Sequence, residues 1–152
     1  SPPEPRGLAP LPAKRHMATV TAATPNLPPA IAAWFAGRGW RVRRHQWEML
    51  AKAREGAHAL LVADTGAGKT LAGFLPTLCD FAGETVPPDG LHTLYVSPLK
   101  ALAQDVKRNL LTPVEDIGLL IRVETRSGDT PSDRKKRQRE RPPHILLTTP
   151  ES

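Results

Sequence analysis

Residues 63–70 have the sequence Ala-Asp-Thr-Gly-Ala-Gly-Lys-Thr. The glycine spacing is typical of a phosphate-binding P-loop, in which backbone N–H groups wrap closely around a triphosphate. Lys69 would place its ammonium against the β- and γ-phosphates, and the Thr70 hydroxyl would ligate Mg²⁺. The strict motif begins with glycine, where this chain has Ala63. The pattern predicts a nucleotide-binding loop made by Thr65, Gly66, Ala67, Gly68, Lys69 and Thr70.

The segments on either side of this loop favour the same interpretation. The apolar run at 59–62 predicts a buried parallel strand that leads into the loop. Apolar residues at helical spacing predict a helix over 69–82 directly after it. Upstream, the same periodicity predicts a helix that begins at Pro28 and Pro29 and that Gly37 and Gly39 end. A second helix is predicted over 43–55, with Gly56 as its stop.

The strand and helix pattern then repeats along the rest of the chain. Strands are predicted over 93–96, 119–124 and 145–148, and helices over 99–111 and 131–140. Alternation of this kind implies right-handed crossovers and a parallel sheet that helices cover on both faces. The sequence therefore predicts an α/β fold.

Two regions differ in composition. Residues 1–26 are rich in proline and alanine and hold few large apolar side chains, so we expect a disordered leader. Residues 27–152 hold all the predicted elements and are long enough for one domain with a hydrophobic core.

Charge and composition exclude several classes of protein. The formal net charge is +6 and the isoelectric point is about 10.0, which favours polyanionic partners. Cys79 is the only cysteine, so neither an intrachain disulfide nor a cysteine-rich zinc site is expected. We find no apolar run of membrane-spanning length and no signal-peptide pattern, so neither membrane insertion nor secretion is predicted.

Three polar turns follow predicted strands. They begin at Ser97, Arg126 and Thr148. The carboxyl ends of parallel strands form the edge where open α/β sheets bind ligands, so we expect these turns to meet there. For the turn that begins at Ser97, taken alone, an ordinary strand–helix connection remains the alternative.

The order of these motifs resembles the N-terminal part of superfamily 2 DEAD/DEAH-box helicases. More narrowly, the chain is similar to the large-helicase-related (Lhr) proteins, especially the bacterial ligase-associated DEXH-box DNA helicases. The resemblance runs from Leu27 to Ser152 and implies the N-terminal part of a RecA-like P-loop NTPase domain. It rests on Arg38-Gly-Trp, His45-Gln46, Asp64–Pro76, Ser97–Ala103, Arg126–Thr130 and Thr148–Glu151.

The resemblance implies ATP and Mg²⁺ as cofactors. Gln46 matches the glutamine whose amide would bond the adenine N6 and N7 atoms, beside the phosphate-binding loop already described. Two features depart from the pattern of relatives. Arg43-Arg44 replaces the usual Pro-Thr, and we identify no upstream aromatic residue to stack on the adenine.

The resemblance also implies a track for single-stranded nucleic acid. The matching residues are Pro98, Lys100, Gly128, Asp129, Thr149 and Pro150. The basic cluster at 134–139 is open to two interpretations, a solvated surface helix or a nucleic-acid patch.

The function implied is that of an ATP-dependent, 3′-to-5′ DNA helicase or translocase in DNA repair. Its substrate would be single-stranded DNA or a duplex with a single-stranded tail, and DNA ligase and nuclease partners and a bacterial cytoplasmic location are implied. Two alternatives remain open. A P-loop kinase or phosphotransferase would need neither Gln46 nor the turn after Ser97, and a non-catalytic basic DNA-binding module would not need Lys69.

We predict that residues 1–152 by themselves do not turn over ATP. In the family that this chain resembles, the Asp-Glu pair that holds Mg²⁺ and positions the attacking water lies downstream of Thr148–Glu151. A colorimetric phosphate-release assay on purified 1–152 should give the blank rate with and without single-stranded DNA. DNA-stimulated release above the blank would contradict the prediction.

Overall fold

The computed structural model describes residues 26–64, 68–83 and 87–152. All of the predicted leader except Asn26 lies outside these residues. The described elements are α1 (Pro29–Gly37), α2 (Arg44–Arg54), α3 (Lys69–Phe81), β1 (Thr93–Val96), α4 (Lys100–Ile117), β2 (Val123–Arg126), α5 (Ser132–Glu140) and β3 (Ile145–Thr148). None of these helices is long and apolar enough to cross a bilayer.

The three strands form a parallel sheet in the order β1-β3-β2. The central strand β3 pairs Thr93 and Val123 with Ile145 at one end, and Val96 and Arg126 with Thr148 at the other. Helix α4 connects β1 to β2, and α5 connects β2 to β3. The predicted α/β fold with a parallel sheet is confirmed.

Helices α3 and α4 cover one face of this sheet. On that face the Thr77 and Thr93 hydroxyls are hydrogen-bonded at 2.8 Å, and the Phe74 and Tyr95 rings lie 5.8 Å apart between centroids. Gln104 of α4 donates to the Thr125 hydroxyl at 3.4 Å. The side chains that are less than 2 % exposed include Ile31, Leu50, Leu75, Leu78, Ile145 and Leu147. Full burial of such an aliphatic side chain stabilises a fold by about 1.5–3 kcal/mol.

The opposite face is only partly covered, so the prediction of helices on both faces is wrong in part. Helix α5 packs there against β2, where the buried Gln138 amide donates to the Thr125 carbonyl at 3.1 Å. On β1, however, Leu94 and Val96 are 55 % and 52 % exposed. Among the described helices, α5 alone packs on that face, and it lies over β2 rather than over β1.

The predicted buried strand at 59–62 is also wrong. These residues form no strand, and Leu60 and Val62 are 89 % and 85 % exposed. A strand needs a neighbour that accepts and donates its backbone hydrogen bonds. None of the three described strands pairs with this segment, so the apolar run lacks the partner that would bury it.

Several boundaries after β1 differ from the sequence prediction, most of all the end of α4 and both ends of β2, which ends at Arg126 rather than at 124. Helix α4 continues to Ile117, six residues beyond the predicted end, and runs through Pro113, whose ring is buried. Gly118 then ends the helix in the left-handed conformation, with φ of 78°. The later end of the helix delays the next strand, which begins at Val123 rather than at 119.

His144 lies buried at the opposite end of β3 from the predicted site. It is 5 % exposed and stands edge-on to the Phe81 ring at 5.6 Å. Its Nδ1 atom accepts a 2.9 Å hydrogen bond from the Arg122 backbone N–H, while its Nε2 atom has no partner in the described part of the chain. Burial, and next the charge of Arg122, lower the pKa of His144 below the ordinary 6.5.

We predict that His144 makes folding less stable in acid. Because its pKa is lower in the folded chain, its contribution is fully present above about pH 6.5 and is lost as the pH falls from there through the folded pKa. His144→Asn keeps an acceptor for the Arg122 N–H and should flatten this slope, at a cost of about 1–2 kcal/mol near pH 8. The free energy of unfolding, from urea titrations between about pH 5.5 and 8, measures both effects.

His58→Asn is the matched control, because His58 is exposed. It should retain the wild-type dependence on pH. An equal acid-side slope in wild type and His144→Asn would contradict the role given to the buried imidazole.

Candidate functional site

The carboxyl ends of the three strands lie side by side. Val96, Thr148 and Arg126 occupy one row across the sheet. The turns that follow them, at 97–99, 149–152 and 127–131, therefore share one edge, as the sequence predicted. These turns hold five of the six predicted nucleic-acid residues, and the sixth, Lys100, is the first residue of α4 directly after the turn at 97–99.

Hydroxyl groups hold these three turns in shape. The Ser97 hydroxyl donates to the Leu99 carbonyl and accepts from the Leu99 N–H. The Thr130 hydroxyl accepts from the Ser127 N–H at 2.9 Å. The Ser152 hydroxyl donates to the Thr149 carbonyl at 2.9 Å. These positioning residues were not singled out from the sequence, although serine and threonine in turns are a known sign of such bonds.

The predicted nucleic-acid residues differ in how accessible they are. Pro98, Lys100 and Pro150 are exposed, as are Gly128 and Asp129. Thr149 is only 2 % exposed, and its hydroxyl has no hydrogen-bond partner in the described residues. Its side chain therefore faces inward, and a ligand at this edge would meet its backbone rather than its hydroxyl.

The second half of the P-loop leads directly into α3. Thr65, Gly66 and Ala67 lie outside the described residues. Gly68 precedes the helix in the left-handed conformation, with φ of 76°, and Lys69 and Thr70 form its exposed first residues. A helix N-terminus presents unpaired N–H groups and a partial positive charge, which favours phosphate.

Gln46 connects this loop to the start of α2. It is 3 % exposed, and its Oε1 atom accepts from the Arg43 N–H at 2.9 Å. Its Nε2 atom donates to the Gly68 carbonyl at 3.5 Å. A Cβ atom on Gly68 would lie 2.9 Å from this nitrogen. The backbone conformation of Gly68 therefore requires glycine, and a side chain at this position would also displace the Gln46 amide.

A cavity of about 650 Å³ adjoins this junction. Its walls come from α1 and the turn after it, from the starts of α2 and α3, and from α4. The lining includes Trp34, Trp40, Gln46, Gly68, Thr70 and Thr112. The cavity thus joins the P-loop to an aromatic wall.

This aromatic wall was missed in the sequence. The turn after α1 has Gly39 with φ of 67°, and the Trp40 N–H donates back to the Phe35 carbonyl at 2.9 Å. This is the bond that characterises a Schellman helix end, and it folds Trp40 back over Trp34, with ring centroids 5.5 Å apart. The sequence sign of this helix end was Arg38-Gly39-Trp40, in which a glycine just after the helix is followed by a tryptophan.

Arg38 fastens the wall to α4. Its guanidinium lies 5.3 Å from the Trp34 ring and 5.2 Å from the Trp40 ring, and it donates to Asp116 at 2.7 Å. The Trp34 indole N–H donates to the same carboxylate at 3.1 Å. The hydrogen bond from Arg38, followed by that from Trp34, lowers the pKa of Asp116. The carboxylate therefore remains ionised at neutral pH and holds both donors.

The chain supplies few metal ligands at this site. No group of three or more His, Cys, Asp or Glu side chains that could hold a metal ion occurs within 26–64, 68–83 and 87–152. Thr70 offers one exposed oxygen on the cavity wall. Mg²⁺ keeps several waters and takes phosphate oxygens, so one protein hydroxyl fits an ion that a nucleotide carries.

The family model for "DEAD/DEAH box helicase" matches residues 43–152, which include the Gln46–Gly68 junction and all three turns. The chain belongs to the DEAD/DEAH box helicase family. The resemblance seen in the sequence is confirmed.

Within this helicase family, the chain is similar to Lhr proteins. It is 48 % identical over 111 residues to the Lhr helicase/probable uracil glycosylase of Mycolicibacterium smegmatis, covering 64 % of this chain and 7 % of that protein. It is 39 % identical over 132 residues to the ATP-dependent helicase Lhr-Core of Methanocaldococcus jannaschii, covering 78 % and 16 %. The chain therefore spans less than a fifth of the length of these relatives.

A solved helicase structure has a fold similar to that of this chain. The structure of Mycobacterium smegmatis helicase Lhr bound to ssDNA and AMP-PNP superposes with a TM-score of 0.74 at 38 % identity, covering 82 % of this chain and 17 % of that one. Helicases with a RecA-like fold are thus the structural neighbours of this chain, as the α/β prediction implied.

Proposed function

We propose that this chain is the ATP-binding part of an ATP-dependent DNA helicase or translocase. The observation that supports it is the single cavity that joins Gly68 and Thr70 to Gln46 and Trp40. A nucleotide has an anionic end and a flat aromatic end, and this cavity has a surface suited to each. The domain would extend over 27–152 as part of a RecA-like lobe.

The phosphate end of the site would depend on Lys69 and Thr70. Both residues are exposed at the start of α3, where the helix dipole favours negative charge. The Lys69 ammonium would contact the β- and γ-phosphates, with Thr65, Gly66, Ala67 and Gly68 contributing backbone N–H groups. Mg²⁺ would neutralise phosphate charge and stabilise the leaving group, with Thr70 as its ligand.

The base end would depend on Trp40 and Gln46. Trp40 is 48 % exposed, so one part of its ring is free to stack on a base while Arg38 supports it. The Gln46 amide already has protein partners at both ends. Its first role would therefore be to fix the P-loop against α2, and contact with adenine would exchange one of these bonds.

The nucleic-acid track would lie along the turns after β1, β2 and β3. The bound ssDNA in the similar Lhr structure supports single-stranded DNA as the ligand. Exposed Lys100 and the N–H groups of these turns are suited to phosphate oxygens. Hydrolysis of ATP would then drive movement along one strand.

The cellular role is the part of the proposal supported by the Lhr likeness alone. It comprises DNA repair, DNA ligase and nuclease partners, and a bacterial cytoplasmic location.

We predict that the chain binds ATP with Mg²⁺ and that Trp40 and Lys69 both contribute. Trp40→Ala should weaken binding by about two- to tenfold, the effect of one aromatic contact. Lys69→Ala should weaken it by more than about tenfold, because a charge-assisted bond is lost. The fluorescence anisotropy of a methylanthraniloyl-ATP probe measures both, with unlabelled ATP and GTP as competitors.

Leu120→Ala is the control, since Leu120 is exposed and does not line the cavity. It should leave the affinity unchanged. Equal competition by GTP and ATP, or wild-type affinity in Trp40→Ala, would contradict the proposed base site.

A further inference from the structure

Two residues of the proposed nucleic-acid track bind each other. The Lys100 Nζ atom donates to the Asp129 Oδ2 atom at 2.6 Å. Lys100 is the first residue of α4, just after β1, and Asp129 lies in the turn after β2. Because β1 and β2 flank β3, this ion pair connects the turns that follow the two outer strands of the sheet.

The pair is open to solvent and to ligands. The side chains of Lys100 and Asp129 are 54 % and 78 % exposed. The hydrogen bond from Lys100, followed by its charge, lowers the pKa of Asp129, so the carboxylate is ionised at neutral pH. Lys135 lies beside the same turn and donates to the Gly128 carbonyl at 3.4 Å.

A carboxylate and a nucleic-acid phosphate compete for the same ammonium group of Lys100. Each offers an anionic oxygen to one ammonium group, at similar distances. While Asp129 holds this ammonium, a phosphate that approaches it meets a neutralised cation and a neighbouring negative charge. The structure therefore places an internal competitor on the exposed cation that directly follows the turn after β1.

We propose that Asp129 is a phosphate surrogate, which occupies Lys100 in the free chain and must yield it when single-stranded DNA binds. The inference rests on the proposed function, and it reverses the role that the family resemblance implies for Asp129. The residue would not hold the strand but would limit the affinity for it.

Such an exchange is energetically easy. An exposed ion pair shifts an equilibrium by at most about fivefold, so a phosphate can displace Asp129 without rearrangement of the fold. The returning carboxylate would in turn help to release the strand. A translocating protein needs release as much as binding, because each step must break contacts as well as form them.

The test is the binding of fluorescein-labelled oligo(dT) by the chain, followed by anisotropy over a series of salt concentrations. Asp129→Asn removes the competing charge and retains the size of the side chain. It should tighten binding by about three- to fivefold at low salt. The gain should shrink as the salt concentration rises, because salt screens the exposed Lys100–Asp129 ion pair that competes with the strand.

Asp105→Asn is the matched control. It makes the same change in net charge on another exposed carboxylate, which pairs with Arg108 within α4. Its gain in affinity should be less than half that of Asp129→Asn. In a Lys100→Ala background, the Asp129→Asn gain should fall to the control level, as expected when the two residues act as a pair.

The outcomes separate the two claims. Suppose that wild type binds oligo(dT) and that Asp129→Asn binds it no more tightly than wild type does. The proposal that Asp129 is a phosphate surrogate is then wrong, while the proposed nucleic-acid track stands. A gain from Asp129→Asn that persists fully without Lys100 also overturns it. If wild type fails to bind oligo(dT) at low salt, the proposed function fails for this chain and the surrogate fails with it.

Discussion

The parallel pairing of β3 with both of its neighbours is the constraint on which the site depends. Ile145 and Leu147 are fully buried in the core, and Thr148 aligns the ends of β1 and β2 in one row. A slip of one residue in β3 would turn its buried side chains to the other face. It would also separate the three turns. The same register of β3 is therefore needed both to pack the core and to assemble the site.

The contact between Gln46 and Gly68 has a comparable role in the cavity. Helix α2 precedes the P-loop in the chain, and this contact joins its first turn to the start of α3. The Arg38–Asp116 ion pair then fastens α1 to α4. The aromatic wall and the phosphate-binding loop consequently face one cavity, although about thirty residues of sequence separate Trp40 from Thr70.

The sequence predicted the elements whose position depends on the residues within them and at their ends. The strands at 93–96 and 145–148 have apolar runs bounded by turn residues, and both were located correctly. The run at 59–62 has the same pattern but no described neighbour, so composition alone misled the prediction. The Trp40 wall is formed by a local helix end whose signal, Arg38-Gly39-Trp40, was overlooked. The Lys100–Asp129 pair, in contrast, joins distant segments, which periodicity cannot reveal. A family resemblance can supply roles for such residues, but it does not show which of them are already bound to one another.

The central claim is that a nucleotide and single-stranded DNA bind separate sites of this fold, the cavity beside the P-loop and the turns after the three strands. Backbone amide chemical shifts of the ¹⁵N-labelled chain test it most directly, with Mg²⁺ and an ATP analogue in one titration and oligo(dT) in another. The nucleotide should shift amides near Gln46 and Gly68–Thr70, and oligo(dT) should shift those of 97–100, 127–130 and 149–152. Shifts that both ligands cause at the same residues, or oligo(dT) shifts confined to α5, would contradict the account.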